Sequence, residues 1–164
     1  MSSYGTLTDA DAYHLARGNT AWAALSADKR PSSLIIGSDF VDNTYASRAQ
    51  GVRTEGRSQD RAWPRKGVVI EGEELPEEDV PKEVEYATYE AAYLSGTGVR
   101  LNYDGPPLQG AITRKKVKGG PAEVETEYAT VEQSDRPSFT KIDDIMRPLL
   151  KNGGAGGMMS LLRG

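Results

Sequence analysis

The residue types that most often do chemistry are scarce in this chain. His14 is the only histidine and there is no cysteine. A Ser-His-Asp or Cys-His system needs an imidazole beside a nucleophile, and a zinc site needs several nitrogen or sulfur ligands. One histidine makes both improbable, and His14 reads as a solvated or core-edge residue of the first helix. Three acidic pairs, Asp9/Asp11, Asp39/Asp42 and Asp143/Asp144, offer oxygen ligands for Mg²⁺ or Ca²⁺. Each falls at or within an expected helix, where capping or solvation explains it, so no metal and no cofactor is expected. Gly96-Thr97-Gly98 and Asn152-Gly153-Gly154 lack the Lys-Ser/Thr pair and the preceding strand of a phosphate-binding loop. The reading is of a protein that is not an enzyme.

The other candidate chemistry is nucleic-acid binding. Arg53, Arg57, Arg61, Trp63 and Arg65 lie close together, and a basic groove with exposed aromatics is what stacking of single-stranded bases requires. Two features oppose it. The formal net charge is -4, which works against non-specific binding to a polyanion. Trp63 stands directly before Pro64, which suits a core anchor. Residues 46–66 are basic, with Arg48, Arg53, Arg57, Arg61, Arg65 and Lys66, whereas residues 71–90 hold nine acids against Lys82 alone. Such asymmetry describes two solvated faces, or the edges by which one subunit of a ring meets the next. It would also keep the wall of a DNA-conducting channel acidic, so that DNA slides without sticking.

The elements that must position these residues are mostly helical. Thr8, with Asp11 three residues on, predicts a capped first helix that Gly18 ends in a left-handed turn. Ala10, Tyr13 and Ala16 share one face of it, and a short apolar patch centred on Trp22 follows. A second helix is expected from near Pro31, with Leu34, Ser38, Val41 and Tyr45 as its inner stripe and Gly37 as a weak point of about 1 kcal/mol relative to Ala. After a short apolar strand, Val68 to Ile70, Pro81 opens a third helix from Lys82 to about Ser95. Val84, Ala87, Ala91 and Leu94 line one side and Tyr86, Tyr89 and Tyr93 another, so this helix should be buried between neighbours. Trp22, Trp63, Tyr86 and Tyr89 are the expected core anchors.

Beyond Gly98 the pattern changes. Ala111–Lys118 and Ala122–Tyr128 alternate as two strands around Gly119-Gly120, a hairpin signal. One strand carries Arg114, Lys115, Lys116 and Lys118, and the other Glu123, Glu125 and Glu127. A two-stranded ribbon is marginal alone and needs another surface, its own body or a neighbouring subunit, and for the second case these seven are candidate subunit-interface residues. Residues 138–151 predict a last short helix with the stripe Ile142, Ile145, Met146 and Leu149, followed by Leu150, and Pro148 should end or kink it. A glycine linker then leads to Met158, Met159, Leu161 and Leu162, an adaptable apolar tip. The fold class is mainly α: a small helical bundle with a β-hairpin or long-loop insertion and an extended C-terminal arm. One domain is expected over 1–151, with the hairpin at about 111–128 and a flexible tail at 152–164. Hydrophobic content of 37% with 18 Gly and 9 Pro fits a modest core with long loops. No signal peptide and no membrane span is expected.

Three segments together, YGTLTDADAYHLARGNTAWAAL, GRSQDRAWPRKG and ELPEEDVPKEVEYATYEAAYL, resemble a family of small proteins encoded in tailed-phage head-tail gene clusters. That family is often labelled DnaT-like single-stranded-DNA-binding, and it is similar in helical layout to head-tail connector (adaptor) proteins. The resemblance covers roughly residues 4–150. It implies a structural virion protein, a ring usually of twelve subunits, in the neck at the capsid vertex and assembled in the host cytoplasm. It also implies the portal protein and a tail-completion or stopper protein as partners, with DNA passing through the lumen without specific binding. By that resemblance Ile142, Ile145, Met146, Leu149, Leu150, Met158, Met159, Leu161 and Leu162 are candidates for docking into the portal. The alternative function is the one in the label, single-stranded-DNA binding. Pro31 and Gly37 depart from the family's unbroken second helix and put that helix's length in doubt.

Overall fold

The computed structural model describes residues 2–102, 112–117, 124–128 and 139–151. The protein is mainly helical and divides into two compact units, a body of residues 1–101 and 139–164 and an inserted unit of residues 102–138. In the body, α1 (Leu7–Ala16), α2 (Thr20–Ala23), α3 (Lys29–Tyr45), α4 (Lys82–Gly96) and α5 (Thr140–Met146) surround two adjoining apolar clusters. No helix among the described residues is long and apolar enough to cross a membrane.

The cap of α1 lies two residues before the expected one. The Thr6 hydroxyl accepts from the Asp9 backbone N–H at 3.1 Å. Thr8 instead lies inside the helix, which begins at Leu7, and the Asp11 carboxylate accepts from the Trp22 indole N–H at 2.7 Å and from Arg30 at 2.9 Å. Gly18 ends the helix at φ +67°, as its position predicts. α3 runs a full 17 residues through Pro31, which sits in the first turn where its missing N–H breaks no helical hydrogen bond. Its stripe Leu34, Ser38, Val41 and Tyr45 is buried.

Gly37 is the point of closest approach between α3 and α4. A β-carbon there would stand 2.6 Å from the Thr88 carbonyl oxygen and 2.9 Å from the Ala92 nitrogen. What the sequence presents as a weak helix position is therefore a requirement of the crossing. α4 is buried on two sides: Val84, Ala87 and Ala91 join the cluster with α3 and α5, and Tyr89 and Ala92 join the one with α1 and α2.

Between α3 and α4 the chain makes two small antiparallel ribbons. β1 (Val52–Arg53) pairs with β2 (Arg65–Lys66), and β3 (Val69–Ile70) with β4 (Glu73–Glu74). The Trp63-Pro64 peptide is cis. At the other end of the body, α5 gives way to a 3-10 turn, Arg147–Leu149, which contains Pro148. This segment is strapped to the chain that follows α3. The Gln50 backbone N–H donates to the Leu149 carbonyl at 2.9 Å, and the Lys151 N–H donates to that of Arg48 at 2.8 Å.

The inserted unit contains an antiparallel pair, β5 (Ile112–Val117) and β6 (Val124–Tyr128), within the two expected strands. Arg114 lies opposite Glu127, Lys116 opposite Glu125 and Val117 opposite Val124, with a register shift between Ile112 and Arg114. The Gly119-Gly120 turn, Lys118, Glu123 and the tail residues Met158, Met159, Leu161 and Leu162 lie outside the described residues.

Candidate nucleic-acid interface

Two of the arginines that suggest DNA binding are used inside the body. Arg61 follows the 3-10 turn of residues 56–58 and is only 9% exposed. Its Nη1 lies 2.6 Å from Asp39 and 3.3 Å from Asp42, both on α3, and its Nε donates to the Ser2 carbonyl at 2.7 Å. Burial disfavours its charge, but the hydrogen bonds and charges of Asp39 and Asp42 outweigh that and raise its pKa above the ordinary value. The Asp39/Asp42 pair is thus a docking point for a guanidinium. Asp42 also accepts from the Tyr4 hydroxyl at 2.5 Å, and the same hydroxyl accepts from the Trp63 backbone N–H at 3.0 Å. Burial, then the bond to Asp42, pushes the Tyr4 phenol well above its usual range, so Tyr4 stays neutral and can donate.

Arg65 is held without a carboxylate. Its guanidinium donates to the carbonyls of Gln50 at 2.7 Å, Gly51 at 2.8 Å and Ala62 at 3.3 Å, and stands 5.7 Å from the Trp63 ring centre. Burial and the charge of Arg53 lower its pKa. Trp63 itself is 2% exposed, packed with Tyr4, Phe40 and Val68. Arg61 therefore pins the long loop to α3, Arg65 closes the loop on the chain that follows α3, and bases cannot stack on an indole that water does not reach.

The cations of residues 46–66 that stay outside are Arg53, half-buried on β1, and the exposed Arg48, Arg57 and Lys66. They have no exposed aromatic in their own segment. The acidic segment is next to them rather than across the body: the Thr54 hydroxyl, after β1, donates to the Glu77 carbonyl at 2.6 Å. Among the described residues, no three His, Cys, Asp or Glu side chains come together as a metal site.

A second polar cluster joins α1, α4 and α5. Glu90, 5% exposed, accepts from the Tyr13 hydroxyl at 2.8 Å and pairs with Lys141 at 2.6 Å. His14 is 1% exposed, between the rings of Trp22 at 4.6 Å and Tyr93 at 5.5 Å. Asn19 donates to its Nδ1 at 2.9 Å, which leaves the Nε2–H to donate to the Tyr89 carbonyl at 3.2 Å. Burial is the largest influence on this imidazole and lowers its pKa. A ring that is buried, neutral and bonded at both nitrogens positions neighbours; it has no free nitrogen for catalysis.

Sequence reasoning did not single out Arg17, and it placed Tyr86 among the core anchors. Arg17, at the exposed end of α1, stacks 3.5 Å above the Tyr13 ring and 5.7 Å from that of Tyr86. Tyr86 is not a core anchor. It is 37% exposed, whereas Trp22, Trp63 and Tyr89 are 1–2% exposed. Residues three apart on a helix share a face, and both rings meet Tyr13 of α1, at 5.0 Å for Tyr86 and 5.4 Å for Tyr89; Tyr86 lies at the solvent edge of that contact and Tyr89 inside it. The residues expected to dock into a portal also divide. Ile142, Met146 and Leu149 are core residues at 0–1% exposure, and Ile145 and Leu150 pack beside them. In this arrangement the body itself covers that stripe.

The family model described as "Putative DnaT-like ssDNA binding protein" matches residues 1–164. No curated protein and no solved structure matches the chain.

Proposed function

The chain belongs to the family described as "Putative DnaT-like ssDNA binding protein", and within it we propose, from how its arginine-rich segment is used, that it works by assembly, as a head-tail connector subunit. In this reading copies form a ring between the portal and the tail or stopper protein. DNA passes through the lumen without being gripped, and no catalytic step is involved. The observation that carries the proposal is the internal use of Arg61, Trp63 and Arg65: the arginine-rich segment that reads like a stacking groove is spent on fastening a loop to α3 and to the chain after it. The exposed acidic run from Glu71 to Asp79 supports it further, since it repels a phosphate backbone.

A second reading, single-stranded-DNA binding, is favoured by the family description and by one surface feature, the Arg17–Tyr86 stack. A guanidinium beside a partly exposed ring is the kind of element that a base stacks on. Titration of a labelled oligonucleotide separates the two. Under the assembly reading, binding is weak and an Arg17→Ala, Tyr86→Ala double variant does not change it. Tight binding that falls steeply with salt, and that the double variant abolishes, would replace the assembly reading with the second.

A further inference from the structure

The register of β5 and β6 divides the residues of the inserted unit by both strand and face. Residues that alternate along a strand share a face. Arg114, Lys116, Glu125 and Glu127 fall on one face, and Lys115, Val117, Val124 and Thr126 on the other, where Tyr128 lies opposite Ile112. On the charged face the positive residues are all on β5 and the negative residues all on β6. Among the described residues this sheet has two strands only, so each strand has a second edge. One edge is therefore basic and the other acidic.

Sheet edges offer rows of backbone donors and acceptors to any strand that can lie alongside. Two copies of this ribbon are complementary in one orientation. Because β5 and β6 are antiparallel, β6 of one copy beside β5 of the next continues the antiparallel alternation. If the internal register repeats there, Glu125 and Glu127 again oppose Lys116 and Arg114. The other face repeats as well, with Val124 beside Val117, Thr126 beside Lys115 and Tyr128 beside Ile112. The reverse contacts, β5 with β5 or β6 with β6, set like charges opposite each other.

We propose that the β5–β6 ribbon is a self-association surface that joins the acidic β6 edge of one copy to the basic β5 edge of the next. The contact is head-to-tail, so each subunit gives one edge and receives on the other. Repetition generates a ring when the rotation closes and a filament when it does not. The proposal rests on the assembly reading and adds to it which element carries the contact and in which sense.

The chain has no cysteine, so single cysteines report contacts between copies without background. Two variants, Lys116→Cys and Glu125→Cys, are purified separately, mixed at the concentration where self-association is seen, and oxidised. The contact predicts a disulfide-linked dimer in the mixture and little or none from either variant alone. A Lys115→Cys, Glu125→Cys mixture is the register control and should crosslink less. Rings or oligomers in negative stain with no mixed dimer would overturn the ribbon contact while leaving assembly standing. Equal crosslinking by each variant alone would overturn it in favour of a like-to-like contact. Absence of both oligomers and crosslinks at every concentration would overturn the ribbon contact and the assembly reading together.

Discussion

Arg61 holds Asp39 at 2.6 Å across the junction between the long loop and α3, and this pair decides how the arginine-rich segment is to be understood. With Asp42, Tyr4 and the Trp63 backbone it forms one connected polar network beside the larger apolar cluster. The segment is a fastening whose loss should be felt as instability. Trp63→Ala removes a large buried ring and should cost about 3–5 kcal/mol. Urea denaturation measures this, and oligonucleotide affinity per folded molecule should not change. A variant of undiminished stability with lost DNA binding would show the indole to be a binding residue.

Gly37 gives a second, local test. Ala is better than Gly in a helix interior by about 1 kcal/mol. At this crossing, however, the added β-carbon meets the Thr88 and Ala92 backbone, and backbone cannot move aside as a flexible side chain can. Overpacking of this kind costs about 1–3 kcal/mol, so Gly37→Ala should lower the denaturation midpoint. A raised midpoint would mean that α3 and α4 do not approach here.

His14 predicts a pH dependence with a definite sign. Its pKa is lower in the folded protein than the ordinary 6.5, so between the two values the unfolded chain binds more protons. Stability is therefore full above about pH 6.5 and falls as pH drops below it. Lys141 and Arg17 act in the same direction as burial, and Glu90 acts against it. Glu85, whose pKa is raised mainly by burial, contributes with the opposite sign as pH falls. Denaturation of the wild type and of His14→Gln between pH 7.5 and about 5.5 isolates the imidazole. The wild type should lose more stability over that interval than the variant.

The C-terminal stripe is tested by a pair of changes. Ile142→Ala should destabilise the body by about 2–5 kcal/mol, because Ile142 is 1% exposed in its core. Deleting residues 152–164 should leave the denaturation curve of the body unchanged and impair joining to the portal. A deletion that assembles into virions normally would remove the tail from the docking proposal.

Much of the fold is legible in the sequence because local signals agree with tertiary need. Pro81, Gly18 and the Leu34–Tyr45 stripe mark helix ends and an inner face that hold in the structure. Where the reading fails, the deciding partner is far away in the chain. Thr6/Asp9 and Thr8/Asp11 are equivalent as capping pairs in the sequence, and the helix takes the first, starting at Leu7, while Trp22 and Arg30 take the Asp11 carboxylate. Gly37 looks like a flaw until α4 is laid against it. Arg61 looks like a DNA ligand until α3 presents Asp39 and Asp42 to it. Tyr86 and Tyr89 both meet Tyr13 of α1, and no periodicity says that the contact buries Tyr89 and leaves Tyr86 at its edge.

The most direct measurement of the central claim is negative-stain imaging of the concentrated protein. The assembly account predicts closed rings of uniform diameter with an open centre. Separate single subunits at every concentration, in place of rings, would contradict it.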